Sequence, residues 1–540
     1  MIKVLVADKL AEQGLERLRQ RPEVQVDVKT GLGEQALAST VGQYDGMIIR
    51  SGVRVTAKAL SNPGRLRAIA RAGVGVDNVD LTAATRAGVL VMNTPDANTI
   101  STAELTMALM LAISRRLPEA HAHVLSGQWQ RSQYVGVQLA GKTLGLIGFG
   151  RVGRAVAARA LGFEMRVLAY DPFFQGQTAM EGKVTMVSSL PQLLKRVDYL
   201  SIHAPKTDKT AGMIGREQLA MMKDGVRIVN TARGGIVDEQ ALAEALDSGK
   251  VAAAGIDVYT AEPPTGNPLL RAKNVVLTPH LGASTREAQQ AVSVEAAEVL
   301  LDYLCDEEIR SAVNVVGVPA VMSARDRAYV DLANRMGRIL SPLCGAGVSQ
   351  VRVAARGDSL QHLPAALGRY CLVELLSPYF EGRLNVINVE AFAQERGIDL
   401  GYGAEASAED FTDNIVLSVR DGRTEHSIEG TVFIDGLPRI LAINGYRMNM
   451  VPEGPMVLIF NDDQPGAIGL VGTTFGQHGV NIADMTLSRQ ARTALMVLKL
   501  DEPPAEPVLQ ALRQKRPPIQ LVHNVTLPAA TRAETQEPSQ

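Results

Sequence analysis

At 540 residues the chain is too long for one hydrophobic core, and three or four domains are expected. A net charge of −2 gives no general attraction to nucleic acid. No apolar run approaches the roughly 20 residues of a membrane helix. Cys305, Cys344 and Cys371 lack metal-ligand or CxxC spacing, so a reducing, cytoplasmic setting is expected and a metal site is not.

The first residues, Met1-Ile2-Lys3-Val4-Leu5-Val6, read as a strand rather than a signal peptide. Apolar runs at 4–6, 24–26, 46–49, 66–70 and 89–92 alternate with helical segments, which predicts a parallel sheet. Residues 97–283 repeat the style, with strands predicted at 144–147, 166–170, 199–203, 227–230, 253–257 and 275–278. Six strands with intervening helices make a full doubly wound domain. Helical periodicity from 284 to 303 predicts a return to the first unit, which is then discontinuous over 1–96 and 284–318. Residues 319–452 read as a separate α+β unit. Residues 455–527 show the β-α-β-β-α-β order of a ferredoxin-like fold. The polar stretch 528–540 is expected to be disordered. The expected class is therefore α/β, with two Rossmann-like domains followed by two smaller units. Ligands in such sheets bind beyond the carboxyl ends of the strands, here between the two large domains.

One motif fixes a cofactor. Gly148-Phe149-Gly150-Arg151-Val152-Gly153 follows an apolar strand and opens a helix, and Asp171 closes the next strand. Gly148 permits a tight turn, Gly150 lets backbone approach a pyrophosphate, and Gly153 lets helix and sheet pack closely. The pyrophosphate would rest on unpaired N–H groups at the helix start. Asp171 would accept bonds from ribose hydroxyls and repel a 2′-phosphate, so NAD is expected over NADP.

Three later segments carry groups suited to alcohol oxidation, which removes a hydride and a proton. His280, in Pro279-His280-Leu281-Gly282, is the expected base. Glu262 is the carboxylate expected to fix its tautomer and stabilise the imidazolium. Arg233 offers a planar fork for a substrate carboxylate.

These segments resemble a known family. Thr231-Ala232-Arg233-Gly234-Gly235-Ile236-Val237-Asp238-Glu239, Asp257-Val258-Tyr259 with Glu262-Pro263-Pro264, and 279–285 are similar to the signatures of D-isomer-specific 2-hydroxyacid dehydrogenases. Segments 71–80 and 93–98 are similar to that family's substrate-side loops. The resemblance implies cofactor contacts at Arg151, Val152, Asp171, Thr231, Ala232, Arg233, Asp257, His280, Leu281, Gly282 and Ala283. The long form of the family oxidises 3-phosphoglycerate with NAD at the entry to serine synthesis, and the chain most resembles that form. Arg50 and Arg71 would grip the phosphate, with Gly73, Val74 and Asn98 adding hydrogen bonds to substrate. Val74 has no hydroxyl and would use its backbone N–H.

Asn461-Asp462-Asp463-Gln464-Pro465-Gly466 and Gly479-Val480-Asn481-Ile482 resemble an ACT domain. The resemblance implies L-serine as effector, with Asp463 taking the ammonium and Asn461 and Asn481 bonding carboxylate or backbone. The segment 97–116 matches a helix that makes the family's dimer contact, so a homo-oligomer, dimer or tetramer, is expected. Two alternatives stay open. One is another D-2-hydroxy acid, of the glyoxylate or hydroxypyruvate kind, as substrate. The other is a non-catalytic NAD-sensing protein on the same scaffold.

Overall fold

The computed structural model describes residues 1–405 and 413–530. Residues 531–540, most of the tail expected to be disordered, lie outside the described residues. Among the described residues, no helix is long and apolar enough to cross a membrane.

The first sheet contains β1 (Ile2–Val6), β2 (Val24–Val28), β3 (Gly46–Ile49), β4 (Ala68–Arg71) and β5 (Leu90–Asn93). All pair in parallel, in the order β2-β1-β3-β4-β5. Val4, Val6 and Ile48 share a core with Ala296, Leu300 and Leu304 of the helix Arg286–Asp306. The approach is close: a Cβ on Gly46 would lie 2.6 Å from Leu304. A segment distant in sequence therefore completes this unit.

The second sheet contains β6 (Thr143–Ile147), β7 (Arg166–Tyr170), β8 (Thr178–Ala179), β9 (Val184–Met186), β10 (Tyr199–Ile202), β11 (Val226–Asn230), β12 (Val251–Ile256) and β13 (Val275–Leu277). Their order is β13-β12-β11-β10-β6-β7-β9-β8. Direction of winding reverses between β6 and β10, which opens a crevice above their carboxyl ends. Strands β8 and β9 fall outside the predicted set. They have two and three residues, too few for alternation to be read. The chain passes between the two units twice, near 94–98 and near 282–285. The crossings are tied together: Thr102 Oγ1 donates to Gly282 O at 3.1 Å, and the Ser101 and Thr285 hydroxyls bond at 2.7 Å.

The third sheet runs β15-β14-β16-β17-β18-β19, from β14 (Val348–Arg356), β15 (Asp399–Glu405), β16 (Asn414–Asp421), β17 (Thr424–Val432), β18 (Pro438–Ile443) and β19 (Tyr446–Met450). The fourth is β20 (Gly454–Asp462), β21 (Ile482–Gln490), β22 (Thr493–Leu500) and β23 (Ile519–Leu527), ordered β21-β22-β20-β23. Helices Ala467–Gln477 and Glu506–Arg513 complete the β-α-β-β-α-β unit. Alternation on β20 divides its side chains. Val457 and Ile459 face these two helices, whereas Met456, Leu458 and Phe460 join the core of the third sheet. The last two units thus share one hydrophobic cluster.

Arg335, 3% exposed, staples that junction. From the helix Ala324–Leu340 it donates to Pro452 O at 2.7 Å, Pro528 O at 2.8 Å and Ala529 O at 3.1 Å, and it pairs with Asp331 at 2.7 Å. Ala530 N donates to Glu453 at 3.0 Å. Residues 528–530 are therefore held, at the start of the stretch expected to be disordered. Arg335→Ala leaves three carbonyls and a carboxylate without their donor, at a cost of about 2–4 kcal/mol. The expected result is lost hydrogen-exchange protection in Ile519–Leu527, with β6 and β10 unaffected.

Candidate active site

Strand ends of the second sheet deliver one group each to the crevice. Gly148 follows β6 with φ +91°, and a Cβ there would lie 2.5 Å from the His203 carbonyl. A Cβ on Gly153 would lie 2.3 Å from Gly148 O, so the helix Arg151–Gly162 seats against the turn. A Cβ on Gly150 would meet nothing within 4 Å. No side chain caps this helix start, so its first N–H groups face open space above Gly150. That cradle fits a pyrophosphate. Val152 is partly buried against the core beneath. Arg151 pairs with Asp96 from the first crossing. Asp171, just past β7, accepts from Phe149 N at 2.8 Å and Phe173 N at 2.9 Å. It thus holds the glycine turn, and carboxylate oxygens keep lone pairs for further donors.

After β11, Asn230 braces the next turn: its Nδ2 donates to Arg233 O and its Oδ1 accepts from Ala232 N. Thr231 is buried and bonds Thr106 at 2.8 Å. Arg233 turns toward the first sheet, its Nε donating to Asp77 at 3.1 Å and its Nη1 to Ala232 O at 2.7 Å.

Asp257, fully buried after β12, pins the segment that carries His280. Its Oδ1 accepts from Thr278 Oγ1 at 2.6 Å and Leu281 N at 2.7 Å, and its Oδ2 from Gly282 N at 3.0 Å. Burial pushes its carboxyl upward, against the pull of those bonds. The family resemblance gives Asp257 a cofactor contact; here its oxygens bond protein groups on the wall of the crevice. His280 sits in the left-handed region, φ +56°, uncommon outside glycine though histidine enters it more readily than most side chains. His280 N donates to Asp257 O at 2.9 Å, which fixes the turn.

The imidazole Nδ1 lies 3.0 Å from Glu262 Oε1 and 2.9 Å from Oε2. Facing two carboxylate oxygens, Nδ1 carries the hydrogen and Nε2 is left as the acceptor. Oε1 also accepts from Tyr259 N at 3.2 Å. Both side chains are partly open, 49% and 40% exposed. Leu281 is half exposed, and Ala283 O accepts from Gln289 at 2.6 Å.

The carboxyl ends of the first sheet carry cations. Arg71 ends β4, and its guanidinium lies on Gly73, where a Cβ would sit 1.6 Å from Nη1. Burial, then neighbouring Arg233, pulls Arg71 down to about 10, with Arg50 adding to the effect. Its Nε is buried with no partner among the described residues, as are Thr94 Oγ1, Asn98 Oδ1 and Thr99 Oγ1. Arg50 donates to Lys9 O at 3.2 Å, and Val74 O accepts from Asn93 at 2.6 Å. Two carboxylates close the ring. Asp8 accepts from the Arg50 and Gly52 N–H groups, and Asp77 from Arg233. Sequence reasoning gives neither a role. Asp77 stands in segment 71–80, but its partner is 156 residues away.

His203, after β10, is a further group that reasoning from sequence misses. Burial pulls it down to about 4, and it bonds Ser201 at 2.8 Å, so it stays a neutral wall of the crevice.

The expected effector residues do not meet within one chain. Asn461 and Asp463 lie near the start of the helix Ala467–Gln477, and Asn481 beyond its end. In the sheet Asn461 pairs with Ala494, while Ile482, next to Asn481, pairs with Leu500. Those positions are separated by about 20 Å along the strands. Asp463 is moreover engaged by Arg489 at 2.6 Å, Asn481 donates to Asp501 at 2.8 Å, and Asn461 is buried with its Oδ1 unpaired among the described residues.

Residues 107–282 match the NAD-binding domain of D-isomer specific 2-hydroxyacid dehydrogenases. Residues 307–444 match the D-3-phosphoglycerate dehydrogenase intervening domain, and 456–516 an ACT domain. The D-3-phosphoglycerate dehydrogenase of Methanocaldococcus jannaschii is 39% identical over 95% of this chain and 98% of its own. That of Archaeoglobus fulgidus is 40% identical over 95% and 97%. A crystal structure from Thermus thermophilus, 40% identical, superposes with a TM-score of 0.53, covering 58% of this chain and 100% of that one. With such relatives over about 95% of its length, the chain belongs to the D-3-phosphoglycerate dehydrogenase family.

Proposed function

We propose that this chain oxidises D-3-phosphoglycerate to 3-phosphohydroxypyruvate with NAD, the first step of phosphorylated serine synthesis. The observations that support the reading are the His280–Glu262 couple at the strand ends of the second sheet and, also after a strand of that sheet, Arg233 drawn up beside Arg71. NAD, when bound, accepts the hydride. Gly148, Gly150 and Gly153, with the uncapped helix start, would hold its pyrophosphate, and Asp171 the ribose beyond. Arg151, Val152, Thr231, Ala232 and the 281–283 segment would line the same crevice.

The chain's own work is binding and proton transfer. Arg233 grips the substrate carboxylate and orients the carbinol carbon. His280 Nε2 takes the hydroxyl proton as the C–H pair departs, leaving a ketone. Glu262 stabilises the imidazolium that forms. Arg71 and Arg50 take the phosphate, and Gly73, Val74 N–H and Asn98 add contacts on that wall. Three guanidinia gathered on one side, Arg50, Arg71 and Arg233, favour a substrate with two anionic groups over a simple 2-hydroxy acid.

The functional unit we infer is at least a dimer, working in the cytoplasm. Leu117, Val124, Leu125, Trp129 and Val135 are all more than half exposed on one arm after the helix Thr99–Arg115, more apolar surface than a monomer commonly leaves open. L-Serine is the proposed effector at the ACT unit. Because Asn481 stands apart from Asn461 and Asp463, the pocket would be completed by Asn481 of a second copy.

His280→Ala should lower kcat by about 10²–10⁴-fold while NADH still binds, followed by NADH absorbance and fluorescence. Unimpaired turnover would refute the base assignment. Asp171→Ala should reduce the NAD-over-NADP preference in kcat/KM by about tenfold or more. L-Serine should inhibit the wild type, and Asp463→Ala should weaken that inhibition without changing kcat. An unaffected wild type would remove serine as effector.

A further inference from the structure

The crevice places two cations beside each other, and one exposed carboxylate stands at their meeting point. Gly73 has φ +142°, and Arg71 Nη1 lies where its Cβ would be. Two residues on, a Cβ on Gly75 would lie 1.9 Å from Arg233 Nη2 and 2.8 Å from Asp77 Oδ2. Both guanidinia thus rest on the backbone of one glycine loop, and Asp77 ends that loop. Its Oδ2 takes the Arg233 Nε hydrogen at 3.1 Å. Arg71 feels Arg233 as repulsion and Asp77 as relief.

Asp77 has little to do for the fold. Its side chain is 71% exposed, and an ion pair in that setting contributes little to stability. Its effect is on the cations. Without an anion beside them, two guanidinia this close attract the same small anion, since each alone is incompletely neutralised.

We propose that Asp77 is a positioning residue that keeps Arg233 and Arg71 as two separate anion subsites, one for each end of the substrate. The inference rests on the substrate reading above. With Asp77 charged, Arg233 is held by its Nε and offers the outer face of its fork to the carboxylate. Arg71 is left to the more distant phosphate. With Asp77 neutral, the pair becomes a trap for any divalent oxyanion, and the carboxylate end of the substrate loses its fixed orientation.

The test uses the full-length chain with Asp77→Asn and Asp77→Glu. Four readouts are taken: kcat and KM with the phosphorylated substrate, inhibition by inorganic sulfate, NADH binding by fluorescence, and Tm. Asp77→Asn should lose about tenfold to hundredfold in kcat/KM, the size expected when a reacting group is misplaced by an ångström or less. Sulfate should inhibit it several-fold more tightly than the wild type. NADH binding and Tm should stay at wild-type values, and Asp77→Glu should recover most of the loss. Wild-type kinetics and sulfate inhibition in Asp77→Asn would overturn the proposal. So would a parallel fall in Tm and NADH binding, which marks a structural role. A wild type inert toward 3-phosphoglycerate but active on an unphosphorylated 2-hydroxy acid would instead overturn the substrate reading. The sulfate comparison, which needs only NADH turnover with that acid, would still decide Asp77.

Discussion

The site depends on one buried carboxylate. Asp257 is closed to solvent, and both of its oxygens hold the turn that presents His280. The left-handed backbone of His280 is uncommon for a side-chain-bearing residue and is held by its surroundings. That hold comes from β12 through Asp257, so the imidazole is fixed to the sheet and not to a loop. Glu262 then has a stationary partner, and the couple can keep a single tautomer. Burial raising the Asp257 carboxyl is the cost of that arrangement, met by a hydroxyl and two backbone N–H donors.

The opposing wall is built on a different principle. There the groups are cations, gathered on loops that glycines keep thin. Arg71 and Arg233 come from different domains, yet they lie on the same short backbone stretch. Closeness of like charges is unfavourable until a dianionic ligand arrives, so the energy of that crowding is available to binding. One wall supplies proton chemistry and the other supplies grip, and the second is complete only when both domains contribute an arginine.

Much of this was legible in the residues, for definite reasons. The glycine motif, the strand ends and the His, Glu and Arg segments are local patterns, and parallel sheets put strand ends in one place. The discontinuous first unit followed from helical periodicity after residue 284. What stayed hidden were pairings between distant residues. Asp77 reads as a turn aspartate until Arg233 lies against it, and Asp8 as the end of a strand until it receives the Arg50 and Gly52 N–H groups. β8 and β9 were too short to carry a period. The effector residues looked like one cluster because they sit at two ends of one helix, and sequence does not tell a pocket in one chain from one shared by two. Arg335 gave no signal at all, since its carbonyl partners are backbone.

The double passage between the large domains has a mechanical consequence. A single linker would let one body swivel in any direction. Two tethers, fastened side by side through Ser101, Thr102, Gly282 and Thr285, leave a single rotation axis along their common line. Rotation about that line would move Arg50 and Arg71 relative to the imidazole, while Arg233, carried on the same domain as His280, would keep its place.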